Sequence, residues 1–511
     1  MILWGVLLGC FFCCLFEGST LYTQQVSDFF GGFLCLGFLV DSTSLSFGGV
    51  VGLVSVVVYF YSLGYMGGDQ MSRKFFSLVF IFVSSMFILI FSGDLLTMFL
   101  GWEGLGVSSF LLVIYYSNHA SVSSGIITMM SNRVGDVFFL LGLGSLYMGG
   151  EVSFLFSEAW GCGFFFFACV AKSAQWPLCG WLPAAMAAPT PVSALVHSST
   201  LVTAGGYLLF RFEGVELMVL DSLLLIPLTT MLLASLGALV SYDLKRLVAM
   251  STLSHIALIC WAILGGYESL AFFHLVIHAL FKSLLFLCAG VLIQGAGHSQ
   301  DIRLMGGSFE SHLICKIGLL YSSVSMMGLP LLGGYDSKEL VMGGILLSGI
   351  QNSEFSFLLG SLIMFFSGGY AFRLMGLLLM SKKVALFGHN NSSVSLNCIG
   401  VLLLISVILG KWGYFYSSLG MTSLLGLLEP SWFSLFISGL LVDFWLSGED
   451  YNAWYEVGEL GSMSLNLSIS CLHGCLSISE EVEMGWLEGV GGEGMLKTGK
   501  GICNVTSNNE W

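Results

Sequence analysis

Stretches of about 20 apolar residues recur along this chain from Met1 to about Leu446, each long enough to cross the roughly 30 Å hydrocarbon core of a bilayer as a helix. Inside hydrocarbon the backbone must satisfy its own hydrogen bonds, so only helices and closed barrels span. The apolar runs are continuous rather than alternating, which excludes a β-barrel. Composition points the same way. Of 511 residues, 56% are hydrophobic and 9% charged, with mean hydropathy +0.90, against about 25% charged in a soluble domain. The fold class is therefore all-α: a polytopic membrane protein of about 14–15 transmembrane helices.

Spans are predicted at roughly 1–16, 44–66, 75–92, 95–116, 126–148, 162–178, 192–212 and 222–241. Further spans are predicted at roughly 247–265, 270–293, 313–332, 338–350, 355–380, 396–416 and 430–446. Charged or turn-rich segments such as GGDQMSRK, SYDLKR, GHSQDIRLMGG and SKK connect them, as membrane-surface loops should. Four regions follow: N-terminal transmembrane helices over 1–92, a core over 93–380, C-terminal helices over 381–446, and an acidic Gly/Ser-rich segment over 447–511. The last region is set apart by charge, since Asp443 onward holds 11 acids and 2 bases of the chain's 31 and 17.

The fourteen cysteines are scattered through apolar segments without paired ligand spacing and read as small hydrophobes. MILWGVLLGCFFCCLF has no basic leader and is followed by equally apolar spans, so it is expected to be a retained span rather than a cleaved signal. Abundant Phe, Gly, Val, Cys and Trp beside only 7 Pro and 9 His fit a coding strand rich in G and T, as organellar genes often have. No basic footprint of a nucleic-acid binder is visible.

Prolines are informative because they are few. Pro177, Pro183, Pro189 and Pro191 fall between a lysine-bearing span and a histidine-bearing one, and Pro330 with Gly333 and Gly334 interrupts a later apolar stretch just before Lys338. One interrupted segment in each half is the usual pointer to a transporter's ion site, although ordinary loops would look the same.

A charged side chain at the bilayer centre costs at least about 2.5–3.5 kcal/mol, so each one needs a partner, water or a function. This chain retains a series of them. Glu103 lies in LTMFLGWEGLGVSSFLLV, and Arg133 and Asp136 stand at i, i+3 in MMSNRVGDVFF, where they can pair. Lys172 lies in FFFFACVAKSAQ, and His197 follows in PTPVSALVHSST. In AFFHLVIHALFKSLLFLCAG, His274, His278 and Lys282 recur at i, i+4, i+8, within about 80° of one helix face and over about 12 Å of its length. Lys338 and Glu339 follow the second break, while Arg373, Asp69, Asp94 and Asp243 read as packing or loop residues. Histidine titrates near neutrality, and desolvation eases proton release from a buried lysine while a nearby carboxylate opposes it. Such a set suits proton transfer, with bound water completing gaps beyond hydrogen-bond reach.

At these residues the sequence resembles the antiporter-like membrane subunits of mitochondrial respiratory complex I, the chain 5 family in particular. The matching segments are GWEGLGVSSFLL, SNRVGD, AKSAQWPLCGWLPAAMAAPTPVSALVHSSTLVTAG, DLKRLVAMSTLSH, FHLVIHALFKSLLF, QDIRLMGG and GLPLLGGYDSKE, over roughly residues 60–375. The resemblance implies antiporter-like inverted repeats of five helices, each with an interrupted helix and a half-channel. It implies that Glu103 and Lys172 are the first half-channel's carboxylate and lysine and His197 a connecting histidine. His274 and His278 would lead to Lys282, the central lysine, and Lys338 with Glu339 would stand near the exit. Arg133, Asp136 and Arg373 would support this path. Two departures are visible: Glu339 replaces the family's usual aspartate, and the family's lateral helix and final anchoring span are not legible after about Leu446.

The implied function is proton translocation across the mitochondrial inner membrane, coupled to NADH oxidation and ubiquinone reduction elsewhere in the complex. No Rossmann fingerprint or clustered cysteine set is present in the sequence. No cofactor or metal is therefore expected in this chain; NAD, FMN, iron–sulfur clusters and ubiquinone are expected in partner subunits. The implied partners are the other complex I membrane subunits and the lipid bilayer. A subunit of a multisubunit sodium/proton antiporter is the alternative, and a structural subunit keeping ancestral charges is a third.

Overall fold

The computed structural model describes residues 20–27, 34–149, 159–212, 221–305, 313–329, 332–347, 353–380 and 393–421. The predicted spans at 1–16 and 430–446, the lateral helix with its anchor and the acidic segment over 447–511 lie outside the described residues.

The described chain opens with a hairpin, β1 (Thr20–Ser27) paired antiparallel with β2 (Leu34–Val40), in register from Thr20 opposite Val40. An all-helical reading did not anticipate it. Its pairing closes against a distant segment: Leu39 N–H donates to Phe91 O at 2.9 Å and Gly93 N–H to Gly37 O at 2.7 Å.

Long helices follow: α1 (Ser42–Tyr65), α2 (Ser72–Ile90), α3 (Leu95–Val113), α4 (His119–Gly149) and α5 (Ala159–Lys172). After short helical turns come α6 (Thr190–Arg211), α7 (Asp221–Val240), α8 (Leu244–Leu264) and α9 (Glu268–Gly295). The remainder are α10 (Leu313–Met327), α11 (Gly333–Leu347), α12 (Ser353–Met380) and α13 (Ser393–Met421). Eight of these helices are long and apolar enough to span a membrane by length and composition. Aspartates start three of them. Asp41 N–H donates to Ser44 Oγ at 2.8 Å before α1, and Asp94 and Asp243 stand at the N-caps of α3 and α8, while Asp69 is exposed between α1 and α2.

Both interruptions fall where the prolines and glycines indicated, but their edges differ from the predicted spans. The span predicted over 162–178 stops as a helix at Lys172 and passes through short turns to residue 189. Its continuation α6 holds a π-helical segment, Ser193–Thr200, a feature that tends to mark functional sites. At the second break α10 ends on Gly328, whose φ of 87° suits glycine, and α11 starts at Gly333. Two glycines permit the close approaches these breaks need. A Cβ on Gly205 would lie 2.9 Å from Cys169 O, pushing α6 off α5, and one on Gly334 would run into Ser325 O.

Helices α6 and α8 are buried along their whole apolar length and α9 along nearly all of it, whereas α2, α4 and α7 bury less than half. Helix α9 packs against α1, α6, α8, α10, α11 and α13, so it is the hub. The outer helices turn apolar side chains outward, among them Phe80, Leu100, Val137 and Ile408. That is the inverse of a soluble surface and suits lipid. Lys245 on α8 and Lys282 on α9 therefore have protein around them rather than hydrocarbon, whereas Arg246 at the start of α8 is exposed.

Candidate functional site

Three helices meet at the first break. Lys172 is the last residue of α5, where a cation complements the helix dipole. Its side chain is fully buried, its Nζ donates to Trp102 O on α3 at 3.1 Å, and it lies 4.8 Å from the Trp102 ring centroid. The same tryptophan donates its indole N–H to Asp136 Oδ1 on α4 at 2.8 Å. Asp136 Oδ2 stands 3.4 Å from Arg133 Nη1, which makes its shorter bond, 2.6 Å, to Glu103 Oε1. The carboxylate and lysine expected as a couple are thus linked through intermediates. Glu103 bonds Arg133, Lys172 bonds a backbone carbonyl, and Trp102 with Asp136 stands between them. Exposure separates them too: the side chains of Glu103 and Arg133 are 37% and 43% exposed and that of Asp136 10%, so the pair lies on the outer face of this chain.

Two interactions hold the break open behind Lys172. Trp181 Nε1–H donates to Ala171 O at 3.1 Å, and Thr230 Oγ1 on α7 donates to Gln175 Oε1 at 2.5 Å. His197 follows on the π-helical segment of α6, 1% exposed, with neither ring nitrogen in hydrogen-bond geometry with a described protein group. Lys245, which sequence reasoning did not single out, sits in the first turn of α8 and donates from Nζ to Ala188 O at 3.0 Å. It ties α8 to the end of the first break.

On α9, the three residues at i, i+4, i+8 are all fully buried. Lys282 Nζ donates to Ser251 Oγ on α8 at 2.6 Å and contacts Met326 Sδ on α10 at 2.8 Å. Lys338 on α11 donates from Nζ to the carbonyl of that same Met326, in the last turn of α10. His274 Nδ1 lies 2.8 Å from Ser337 Oγ and His274 Nε2 lies 3.3 Å from Nδ1 of His255, on α8. His255 is the second residue that sequence reasoning missed as a site; its motif, DLKRLVAMSTLSH, contained it only as a closing letter. Neither ring nitrogen of His278 bonds a described group. Glu339 is nearly buried beside Lys338 on α11. A small cavity next to the second break, with about 10 Å³ open to a water's centre, is lined by Phe281, Ser325, Gly333, Gly334 and Ser406. That is room for about one water.

Arg373 lies elsewhere. Its guanidinium stacks 4.7 Å from the Tyr242 ring, just before α8, and Arg303, which follows α9, lies 4.2 Å from the same ring. Outside the spans, Arg303 pairs with Asp301 at 2.7 Å and holds its carboxyl below the usual carboxylate range. Among the described residues no group of three or more His, Cys, Asp and Glu could hold a metal ion.

The arrangement is a series of amines, imidazoles and hydroxyls carried mainly by the buried helices; Lys172, Lys245, Lys282, Lys338 and His274 each bond a group on another element, whereas His197 and His278 bond no described group. Such groups can exchange protons over hydrogen-bond distances. Fold and site together define an antiporter-like membrane subunit. Residues 92–353 match the model of the NADH:quinone oxidoreductase/Mrp antiporter transmembrane family, and residues 32–76 that of the complex I chain 5 N-terminus. NADH-ubiquinone oxidoreductase chain 5 of Aedes aegypti is 45% identical over 363 residues, covering 67% of this chain and 60% of the relative. That of Mytilus edulis is 34% identical over 493 residues, covering 90% and 85%. A Mrp complex structure from Dietzia sp. is similar in fold, with TM-score 0.70 at 23% identity over 99% of this chain and 56% of the other. An archaeal membrane-bound sulfane sulfur reductase gives TM-score 0.67 at 20% identity over 80% and 70%. The chain belongs to the NADH-ubiquinone oxidoreductase chain 5 family. It spans about 60% of the length of the Aedes aegypti and Anopheles gambiae relatives.

Proposed function

We propose that this chain carries protons across the mitochondrial inner membrane as a core membrane subunit of respiratory complex I, the H+-translocating NADH:ubiquinone oxidoreductase. Redox chemistry, with NAD, FMN, iron–sulfur clusters and ubiquinone, belongs in this reading to partner subunits, and coupling reaches this chain through its neighbours in the membrane. The observation that carries the proposal is the set of buried bases, Lys172, His197, Lys245, His274, His278, Lys282 and Lys338, kept in the interior of the bundle at a cost no packing role requires.

Each lysine has a partner that stabilises its ammonium without annulling its charge: a carbonyl for Lys172, Lys245 and Lys338, a hydroxyl for Lys282. A neutral acceptor holds a proton less tightly than a carboxylate would, so the amine can release it when the field changes. At the first break that field comes from Asp136, Arg133 and Glu103, whose ion pairs lie at the outer face where a neighbouring subunit can reach them. Breaking or remaking the Glu103–Arg133 bond redistributes charge around Asp136 and, through Trp102, around Lys172. Water at the breaks bridges the longer gaps.

Complex containing Lys172→Ala, reconstituted in liposomes, tests this. NADH-driven acidification should fall several-fold while the complex still assembles, and acidification at the parent rate would remove Lys172 from the path. The fold similarity to a Mrp complex favours one other reading, a sodium/proton antiporter subunit. Purification of the native chain with its neighbours distinguishes them: redox subunits should accompany it under the first reading and be missing under the second.

A further inference from the structure

Helix α8 contributes a third imidazole to the pair on α9. His255 is 2% exposed, its ring stacked 5.5 Å from that of His274 and tilted 5.6 Å from that of His278, with Phe281 edge-on at 5.4 Å. An imidazole serving only to pack is expected to have its nitrogens satisfied. Here His255 Nδ1 meets His274 Nε2, while His255 Nε2 is buried without a partner among the described residues.

We propose that His255 is a further proton-carrying residue, and that His255, His274 and Ser337 form a transverse hydrogen-bonded relay from α8 through α9 to α11. The inference rests on the reading of this chain as a proton-translocating subunit, and it adds a branch that joins the histidines of α9 to the helix carrying Lys338.

The hydrogen-bond directions follow from the end of the chain of contacts. Ser337 Oγ donates to Gly334 O at 3.3 Å, which leaves its lone pairs for His274 Nδ1–H. His274 Nε2 is then bare and accepts from His255 Nδ1–H, so His255 Nε2 is also bare. The opposite directions would bury an unsatisfied N–H on His255, the rarer and costlier orphan. The resting relay therefore ends in a basic nitrogen ready to accept. A proton arriving at His255 Nε2 forms a new N–H bond there as the Nδ1–H proton passes to His274 Nε2. His274 then gives its Nδ1–H proton to Ser337 Oγ, which releases its own hydroxyl proton to water. Gly334, whose carbonyl accepts from the Ser337 hydroxyl, lines the small cavity, although Ser337 itself does not. One proton enters and one leaves. Both rings finish as the opposite tautomer, and rotation of the two imidazoles resets them.

His255→Asn and His255→Gln test the relay, measured as NADH-driven acidification by the assembled complex in liposomes. Asn places an amide near Nδ1 and Gln near Nε2, so each keeps a polar contact and neither passes a proton through. Both variants should assemble, lose at least about fivefold in pumping, and show a changed solvent deuterium isotope effect on what remains. Pumping within twofold of the parent by either variant overturns the relay. Failure of both to assemble also counts against it, since it assigns His255 to the packing of α8 on α9. Lys282→Ala is run in parallel: pumping at the parent rate there would overturn the underlying reading, whereas loss there with normal His255 variants rejects His255 alone.

Discussion

Replacing Ser251 with alanine isolates one bond on the path. Lys282 is fully buried, and Ser251 Oγ, 2.6 Å away, is its oxygen acceptor among the described residues; its other neighbours are the Met326 thioether at 2.8 Å, a weak acceptor, and the Phe281 ring, 6.0 Å from Nζ. A hydrogen bond to a charged group contributes about 1.5–3 kcal/mol, which converts to about a 10- to 150-fold smaller ratio of ammonium to free amine. The fold itself should hardly notice. Ser251 Oγ otherwise bonds only Val248 O within the same helix, at 2.7 Å, and alanine is the better helix former by about 0.5 kcal/mol. Ser251→Ala should therefore assemble normally and lower NADH-driven acidification about tenfold or more, while Ser251→Thr, which keeps the hydroxyl, retains most of it. Acidification by Ser251→Ala within twofold of the parent would refute the idea that the loaded ammonium at Lys282 is an obligatory stage.

Two further outcomes test other parts of the structure. Arg211 Nη1 bonds Asp41 Oδ2 at 2.8 Å and its Nε bonds Tyr207 Oη at 2.9 Å, tying the end of α6 to the start of α1, so Arg211→Met should cost about 2 kcal/mol, read as earlier thermal unfolding of the solubilised protein. The Asp301 carboxyl is held low by Arg303, so its contribution is present at neutral pH and is lost only as pH falls through that depressed value. Hydrogen exchange should find the Arg303 amide, which donates to Asp301 Oδ1 at 3.1 Å, equally protected at about pH 8 and about pH 5 and less so only once the pH falls below the ordinary carboxylate range.

Much of the architecture was legible because its signals are local. Apolar runs placed α1, α9 and α12 within a few residues of their observed ends, and Pro177 to Pro191 with Gly333 and Gly334 marked both breaks. The spacing of His274, His278 and Lys282 showed because helical periodicity is written in neighbouring letters. What was not legible depends on partners far away in the chain. Ser251 reaches Lys282 across 31 residues, Met326 across 44, and Ser337 reaches His274 across 63. The acceptors for Lys172, Lys245 and Lys338 are backbone carbonyls, which any residue supplies and no motif announces. The β1–β2 hairpin was missed for a related reason, since its second strand is completed by the connection between α2 and α3 some fifty residues on.

Met326 makes the second break more than a gap in a helix. One amine leans on its sulfur and another on its carbonyl oxygen, and both atoms ride on the final turn of α10. Unwinding or displacing that single turn would withdraw support from Lys282 and Lys338 together, so two stations on different helices answer to one mechanical element.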